Sequence, residues 1–318
     1  MNKDMCPLLN GVYTELERYE KQPNRREPFT VAMLQRALEK ASPLRNSHPT
    51  GLACAMADWS VVGLNTGSRK VEWSQDVGHY NPYSPKLNVY EDPYAFLPRD
   101  ITAMTSQGRK EGYALLSVQL PGILKVKCTH RTQKNGQNGE ERMYTPDKDP
   151  NKPSFVKAIY SIMQRHFQLF GTDSNAENIP LAAYSPGVGK PPRLITATET
   201  QTFMRQLACE VYHLDPVKDR AALLRWSSHS FRVGACVLLD SMGFSATQIQ
   251  WILRWRSMAF MAYLRNTVSL SNQQHEAFAS ALRQDLESEG FNATRQAPVL
   301  LTAAMRTEGQ MPTNVIPW

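Results

Sequence analysis

The residue types best suited to chemistry are concentrated in the C-terminal third of the chain, in residues 226–266. His229 and Arg232 lie three residues apart in a predicted helix, so their side chains share one face. A histidine and an arginine on one face can bind an anion through charged hydrogen bonds. Trp255 and Tyr263 follow in the next two predicted helical segments and complete a set of four.

Three helices must position these side chains. The apolar stripe of the first runs from Phe231 to Met242 and should face the core, which predicts a different face for the histidine and the arginine. Ser245 with Gln248 three residues later is a capping-box pattern that begins the second helix. Ser257 is expected to cap the third, which carries the tyrosine.

The order H-x-x-R, Trp, Tyr resembles the C-terminal half of the tyrosine recombinase (phage integrase) family. Trp255 follows Arg232 by 23 residues, and Tyr263 follows Trp255 by eight. Two earlier segments extend the resemblance, which covers roughly residues 28–280. TGSRKVEW is similar to the family's first catalytic motif and THRTQKNGQNGE to its hairpin lysine region, and they supply Arg69, Glu72 and Lys134.

The resemblance implies a DNA strand-exchange enzyme that needs neither metal nor ATP, because the bond energy is kept in a 3′-phosphotyrosyl link. Attack at phosphorus builds negative charge that guanidinium groups can bind. The implied roles are phosphate clamping by Arg69 and Arg232, hydrogen bonding by His229 and Trp255, nucleophilic attack by Tyr263, protonation of the leaving oxygen by Lys134 and support of Arg69 by Glu72. Apart from the resemblance, Arg254 and Arg256 form a basic pair that could bind DNA phosphates if it lies on the same face as the site, although such short pairs are more often solvated.

Each residue alone has an ordinary alternative. Tyr263 could be a core tyrosine on an amphipathic helix, and Arg69 could form a surface ion pair with Glu72. Two other functions stay open beside the recombinase: a type IB topoisomerase, which shares the nucleophilic tyrosine, and a domesticated DNA-binding protein that has lost strand exchange.

Bulk composition fits a globular DNA-binding protein. The chain has 318 residues, 42% apolar residues, a formal net charge of +7 and five scattered cysteines that suggest neither a disulfide framework nor a zinc site. No apolar run approaches the roughly 18 residues of a membrane span. We therefore expect an intracellular protein, nuclear if eukaryotic and cytoplasmic if bacterial or phage. The family resemblance implies that it needs no cofactor, binds double-stranded DNA and assembles on it as a tetramer.

The predicted fold class is α+β, mainly helical, with a small antiparallel sheet formed by strands between residues 101 and 145. The expected domains are an N-terminal helix and linker (1–27), a tyrosine-recombinase-like catalytic domain (28–288) and a loose C-terminal tail (289–318). Only a linker-sized segment precedes the catalytic domain, where the family usually has a clamp domain.

Two departures from the family pattern concern the segment around Trp255. The interval to Tyr263 is one residue shorter than in many bacterial members, and Arg254 stands where the family often has glycine. The form of the segment, RWRSMAFMAYLRN, looks more like recombinases of eukaryotic mobile elements of the Crypton type than like phage integrases.

Overall fold

The computed structural model describes residues 26–73, 95–131, 138–149, 152–255 and 260–264, all of which lie in one compact unit, Met1–Leu264. The predicted segments 1–25 and 265–318 lie outside the described residues, so the domain boundaries at 27 and 288 stay predictions. No helix in the described part of the chain is long and apolar enough to cross a membrane.

The fold is α+β and mainly helical, as predicted. The described α-helices, α1 to α10 in chain order, are Val31–Ala41, Leu44–Ser47, Leu52–Thr66, Lys70–Trp73, Phe155–Phe170, Ala197–Tyr212, Arg220–Leu223, Ser230–Ser241, Ala246–Ile252 and Met261–Leu264. The described strands, β1 to β6, are Ile101–Thr105, Gly108–Glu111, Ile123–His130, Glu140–Tyr144, Ala183–Tyr184 and Arg193–Leu194. Short 3-10 helices span Pro98–Asp100, Gly112–Ser117, Leu120–Gly122 and Ala176–Asn178.

Strands β1 to β4 form one antiparallel sheet in the order β2-β1-β3-β4, and β5 pairs with β6. Strand β2 was not predicted because its sequence, GRKE, has no apolar alternation. In β3 the side chains of Val126, Cys128 and His130 alternate onto the buried face. His130, the last residue of β3, therefore has its side chain in the protein interior.

Helix α3 is the centre of the helical core and packs against α1, α5 and α8. Its contact with α8 is close, since a Cβ built on Gly63 would lie 2.7 Å from the ring of Phe231. That ring also meets Trp73, which stacks on Trp59 of α3 with ring centroids 5.7 Å apart. The packing of Trp73 therefore anchors the short helix α4, which directly follows Arg69 in the chain.

A second, smaller apolar cluster holds the C-terminal helices on α8. Its buried members are Ala235, Cys236, Ile249, Leu253 and Phe260. Ser245 caps α9 in the predicted capping box with Gln248. The expected stripe on α8 is wrong at its end: Met242 is 65% exposed, because the helix ends at Ser241 and the chain turns at Gly243 with φ +82°.

Candidate active site

His229 and Tyr263 form a hydrogen-bonded pair between α8 and α10. His229 Nε2 lies 2.9 Å from the Tyr263 hydroxyl oxygen, and the ring centroids are 5.8 Å apart. His229 occupies the N-cap position of α8, where the imidazole extends beyond the first helical turn. A neutral imidazole with its proton on Nδ1 can accept the tyrosine proton across this distance.

The surroundings favour the neutral form of both groups. Burial raises the pKa of Tyr263, although the charge of Arg232 opposes this shift. Burial lowers the pKa of His229 from 6.5, and the charges of Arg232, Arg26 and Arg69 lower it further. At neutral pH the pair is therefore a phenol beside an unprotonated imidazole, the state needed for proton transfer from nucleophile to base.

Arg232 is buried, contrary to the expectation that it lies on a face away from the core. Its residue exposure is 2%. Nη1 donates to the carbonyl of Gly67 at 2.8 Å, and Nη2 donates to the carbonyl of Leu253 at 2.7 Å. Burial, with help from nearby Arg69, lowers the pKa of Arg232 to about 9, so the guanidinium is still cationic at neutral pH.

Trp255 covers this buried guanidinium. The Arg232 Cζ atom lies 4.3 Å from the centre of the Trp255 ring, a distance typical of cation–π contacts. The indole ring also lies 5.8 Å from the ring of Tyr263. The indole N–H is buried and has no hydrogen-bond partner within the described part of the chain, so it is a donor that a bound acceptor could satisfy.

Arg69 lies in the turn between α3 and α4, and Glu72 lies in α4 itself. The Arg69 backbone N–H donates to Glu72 Oε2 at 2.9 Å, whereas the side-chain contact from Nη1 to Oε1 is longer, at 3.4 Å. The Arg69 side chain keeps 22% of its surface exposed. Arg69 is close enough to Arg232 to lower that residue's pKa, so two guanidinium groups approach the same region.

The structure places Arg254 away from the surface where a DNA contact was expected. It is 2% exposed, and its Nη2 and Nη1 atoms donate to the two carboxylate oxygens of Glu72 at 2.9 and 3.2 Å. A phosphate therefore meets this guanidinium only if the ion pair is broken. Lys134 and Arg256, the other two predicted site residues, lie outside the described residues.

The assembled cluster has an excess of positive charge. The guanidinium groups of Arg69, Arg232 and Arg254 face the single carboxylate of Glu72. Arginine groups in a mostly dry site attract an anion strongly, and phosphate suits their planar donors. Among the described residues no group of three or more His, Cys, Asp or Glu side chains could hold a metal ion.

Comparison with known proteins gives similarity at the level of structure and not of sequence. No family model and no curated protein matches the sequence. Among the solved structures that match is the Tn1549 transposon integrase in complex with transposon right end DNA. The match covers 82% of this chain and 68% of the integrase chain, with 13% identity and a TM-score of 0.35. A similarity this low carries no argument about the function of this chain.

Two residues that the sequence analysis did not single out belong to the site. Gly67 supplies a carbonyl to Arg232, and the sequence does contain a signal for it, a glycine directly after an apolar helix. His130 lies 2.7 Å, through Nδ1, from Arg254 Nη1. Nothing in the sequence indicates this contact, because 124 residues separate the partners.

Proposed function

We propose that this chain is a DNA strand-breaking and rejoining enzyme of the tyrosine recombinase type, with Tyr263 as nucleophile. The observation that carries the proposal is the 2.9 Å contact between the Tyr263 hydroxyl and His229 Nε2, beside the cationic Arg232. A nucleophile in hydrogen-bond reach of a base, next to groups that bind negative charge, is the arrangement needed for covalent catalysis.

The proposed step is attack of the Tyr263 oxygen on a DNA phosphorus. The bond between the tyrosine oxygen and phosphorus forms, the bond between phosphorus and the 5′-oxygen breaks, and the tyrosine proton passes to His229. The free 5′-oxygen takes up a proton, for which the family resemblance suggests Lys134 as donor. Rejoining reverses each bond change, so no ATP or redox partner enters the balance.

Arg232, Arg69 and the Trp255 indole N–H are the proposed ligands of the nonbridging phosphate oxygens. Arg232 has five N–H donors, and backbone carbonyls occupy at most three of them. Because this residue is buried beneath the Trp255 ring, a phosphate reaches it only after neighbouring side chains shift. The partly exposed Arg69 is the group that an incoming phosphate can meet first.

The finer assignments are also proposals. Double-stranded DNA is the proposed partner, and a tetramer on two duplexes is the assembly that the family resemblance suggests. The likeness to Crypton-type mobile-element recombinases is a hypothesis that rests on Arg254 and on the Trp255–Tyr263 interval. Mass photometry of the protein with and without its cleaved duplex tests the assembly.

Covalent trapping tests the proposed function. The protein is incubated with a pooled library of nicked duplexes, in which the fragment beyond the cut diffuses away and blocks rejoining. DNA-linked protein is then sought on a denaturing gel, beside Tyr263→Phe. Tyr160→Phe is the matched control, because its hydroxyl bonds to the backbone carbonyl of Val118, away from the site. We expect an adduct from the native chain and from Tyr160→Phe, and none from Tyr263→Phe.

The alternatives give different results in the same experiments. A DNA-binding protein without strand exchange gives no adduct from any variant while still shifting duplex DNA on a native gel, and that result refutes the proposal. A type IB topoisomerase relaxes supercoiled plasmid without a preferred site. Sequencing of the trapped DNA separates these cases, because a recombinase recovers one recurring cleavage sequence.

A further inference from the structure

Arg254 occupies a backbone conformation that arginine rarely adopts. Its φ is +58°, and only His213 shares a positive φ among the described residues other than glycine. In this left-handed region the Cβ atom lies too close to the following carbonyl oxygen. The side chain is also removed from water, at 2% exposure. Both features are unfavourable, so the contacts of the guanidinium must offset them.

Those contacts join three separate segments of the chain. Nη1 and Nη2 reach both carboxylate oxygens of Glu72, in helix α4, at 3.2 and 2.9 Å. Nη1 also lies 2.7 Å from Nδ1 of His130, the last residue of β3. Burial, and then the charge of Arg254, lower the pKa of His130 to about 3. The imidazole is therefore neutral at ordinary pH and accepts the hydrogen bond through Nδ1.

Two of these segments also carry part of the proposed machinery. Glu72 accepts the backbone N–H of Arg69. Arg254 itself immediately precedes Trp255, and its carbonyl lies 3.5 Å from Arg232 Nη2, beside the stronger bond to Leu253. A displacement of the Arg254 side chain would therefore be transmitted to both site arginines and to the indole.

We infer that Arg254 is a positioning residue that fixes the Arg69 turn and the Trp255 segment relative to each other through Glu72 and His130, and that it does not bind DNA. This inference rests on the proposed function. It assigns the residue a role different from the DNA contact that the sequence suggested. It also explains why a buried ion pair stands at a backbone position better suited to glycine.

Salt titration of DNA binding tests the second half of the inference without requiring activity. Each phosphate contact contributes about 0.9 to the slope of log K against log salt. We expect Arg254→Gly to bind a random-sequence duplex with an unchanged slope, whereas Arg69→Ala should lower the slope by about 0.9. A comparable decrease for Arg254→Gly would mean that Arg254 contacts phosphate and would overturn the inference.

The rate of adduct formation at saturating DNA tests the first half. Arg254→Gly removes the ion pair but suits the backbone, and we expect its rate to fall on the order of 100-fold, as small misplacements of reacting groups do. Arg254→Lys keeps a charge but cannot reach both carboxylate oxygens, so its rate should be intermediate. Glu72→Gln should cost less when added to Arg254→Gly than when made alone, because the Arg254–Glu72 ion pair is then already broken and only the contacts of Glu72 with Arg69 are left to weaken.

His213→Gly is the matched control. It removes the other positive φ, +54°, at the exposed end of helix α6 and away from the site, so the rate should be unchanged. An unchanged rate per folded molecule for Arg254→Gly would show a role in stability alone and overturn the inference. If Arg254→Gly does not fold, Arg254→Lys decides in the same way. No adduct from the native chain refutes the proposed function itself, and this inference with it.

Discussion

Replacement of Gly67 by alanine should both slow adduct formation and lower the free energy of unfolding. Gly67 ends helix α3 in a left-handed conformation, φ +55°, and its carbonyl accepts the hydrogen bond of Arg232 Nη1 at 2.8 Å. A Cβ added there would lie 2.7 Å from Cδ2 of Leu253, closer than real Cβ atoms approach. The atom that must shift is at the end of the Leu253 side chain, and the carbonyl of the same residue accepts the other strong bond of Arg232. A shift of Leu253 that reaches its backbone would therefore disturb both supports of this guanidinium.

The expected magnitude has two parts. The left-handed conformation costs alanine about 1–2 kcal/mol, and crowding in a packed core costs about 1–3 kcal/mol more. Gly67→Ala should therefore lower the free energy of unfolding by about 2–5 kcal/mol. Gly189→Ala is the matched control, because Gly189 has φ +72° and nothing within 4 Å of the added Cβ. Gly189→Ala should lose only the about 1–2 kcal/mol that the left-handed conformation costs alanine.

Urea unfolding and the adduct assay measure the two consequences separately. We expect Gly67→Ala to lose more stability than Gly189→Ala, by about the crowding cost of 1–3 kcal/mol. At a temperature where both are folded, adduct formation should fall on the order of 100-fold for Gly67→Ala alone. Equal losses of stability would refute the crowding argument. A destabilised Gly67→Ala protein with native cleavage rate would show that the Gly67 carbonyl does not position Arg232.

Three other results are expected. Arg232→Lys, measured in the same assay, should slow adduct formation per folded molecule on the order of 100-fold and should lower the melting temperature, because an ammonium cannot replace a planar guanidinium that bonds two buried carbonyls. The rate should hold from pH 8 down to about 6.5 and fall only below that, since burial and nearby arginines lower the pKa of His229; loss of rate already at pH 7.5 would contradict this. Asp58→Ala leaves the buried Arg165 without its carboxylate and should cost about 3–5 kcal/mol in urea unfolding, against less than about 1 kcal/mol for the partly exposed Lys127→Ala.

The helices could be predicted from sequence because their signals are local. Thr30 caps α1, and its side chain accepts the N–H of Met33. Ser245 and Gln248 form the predicted capping box of α9. Such contacts involve residues three apart, so a single short segment of the sequence shows both partners. The fold class followed from these signals and from the apolar alternation of the strands.

The burial of the site could not be predicted in the same way. Helical periodicity separated Arg232 from the apolar stripe of α8, but α8 is covered on more than one side, by α3 and by the cluster around Leu253. A helix enclosed on several faces buries polar positions too, and then only hydrogen-bond partners decide which are tolerated. The partners of Arg232 are backbone carbonyls, 165 and 21 residues away, which no residue type reveals.

The burial of several arginines in this site affects both the stability of the protein and its attraction for an anion. A guanidinium removed from water is costly, and the pKa of Arg232, lowered to about 9 by burial and by Arg69, records that cost. Glu72 neutralises only part of the charge, and its carboxylate is shared between Arg254 and Arg69. The remaining repulsion between Arg232 and Arg69 is unfavourable in the free protein. An anion between the two guanidinium groups attracts both of them and offsets that repulsion. The same electrostatics that reduce the stability of the free protein should therefore strengthen its affinity for the phosphate of the proposed reaction, whose charge grows in the transition state.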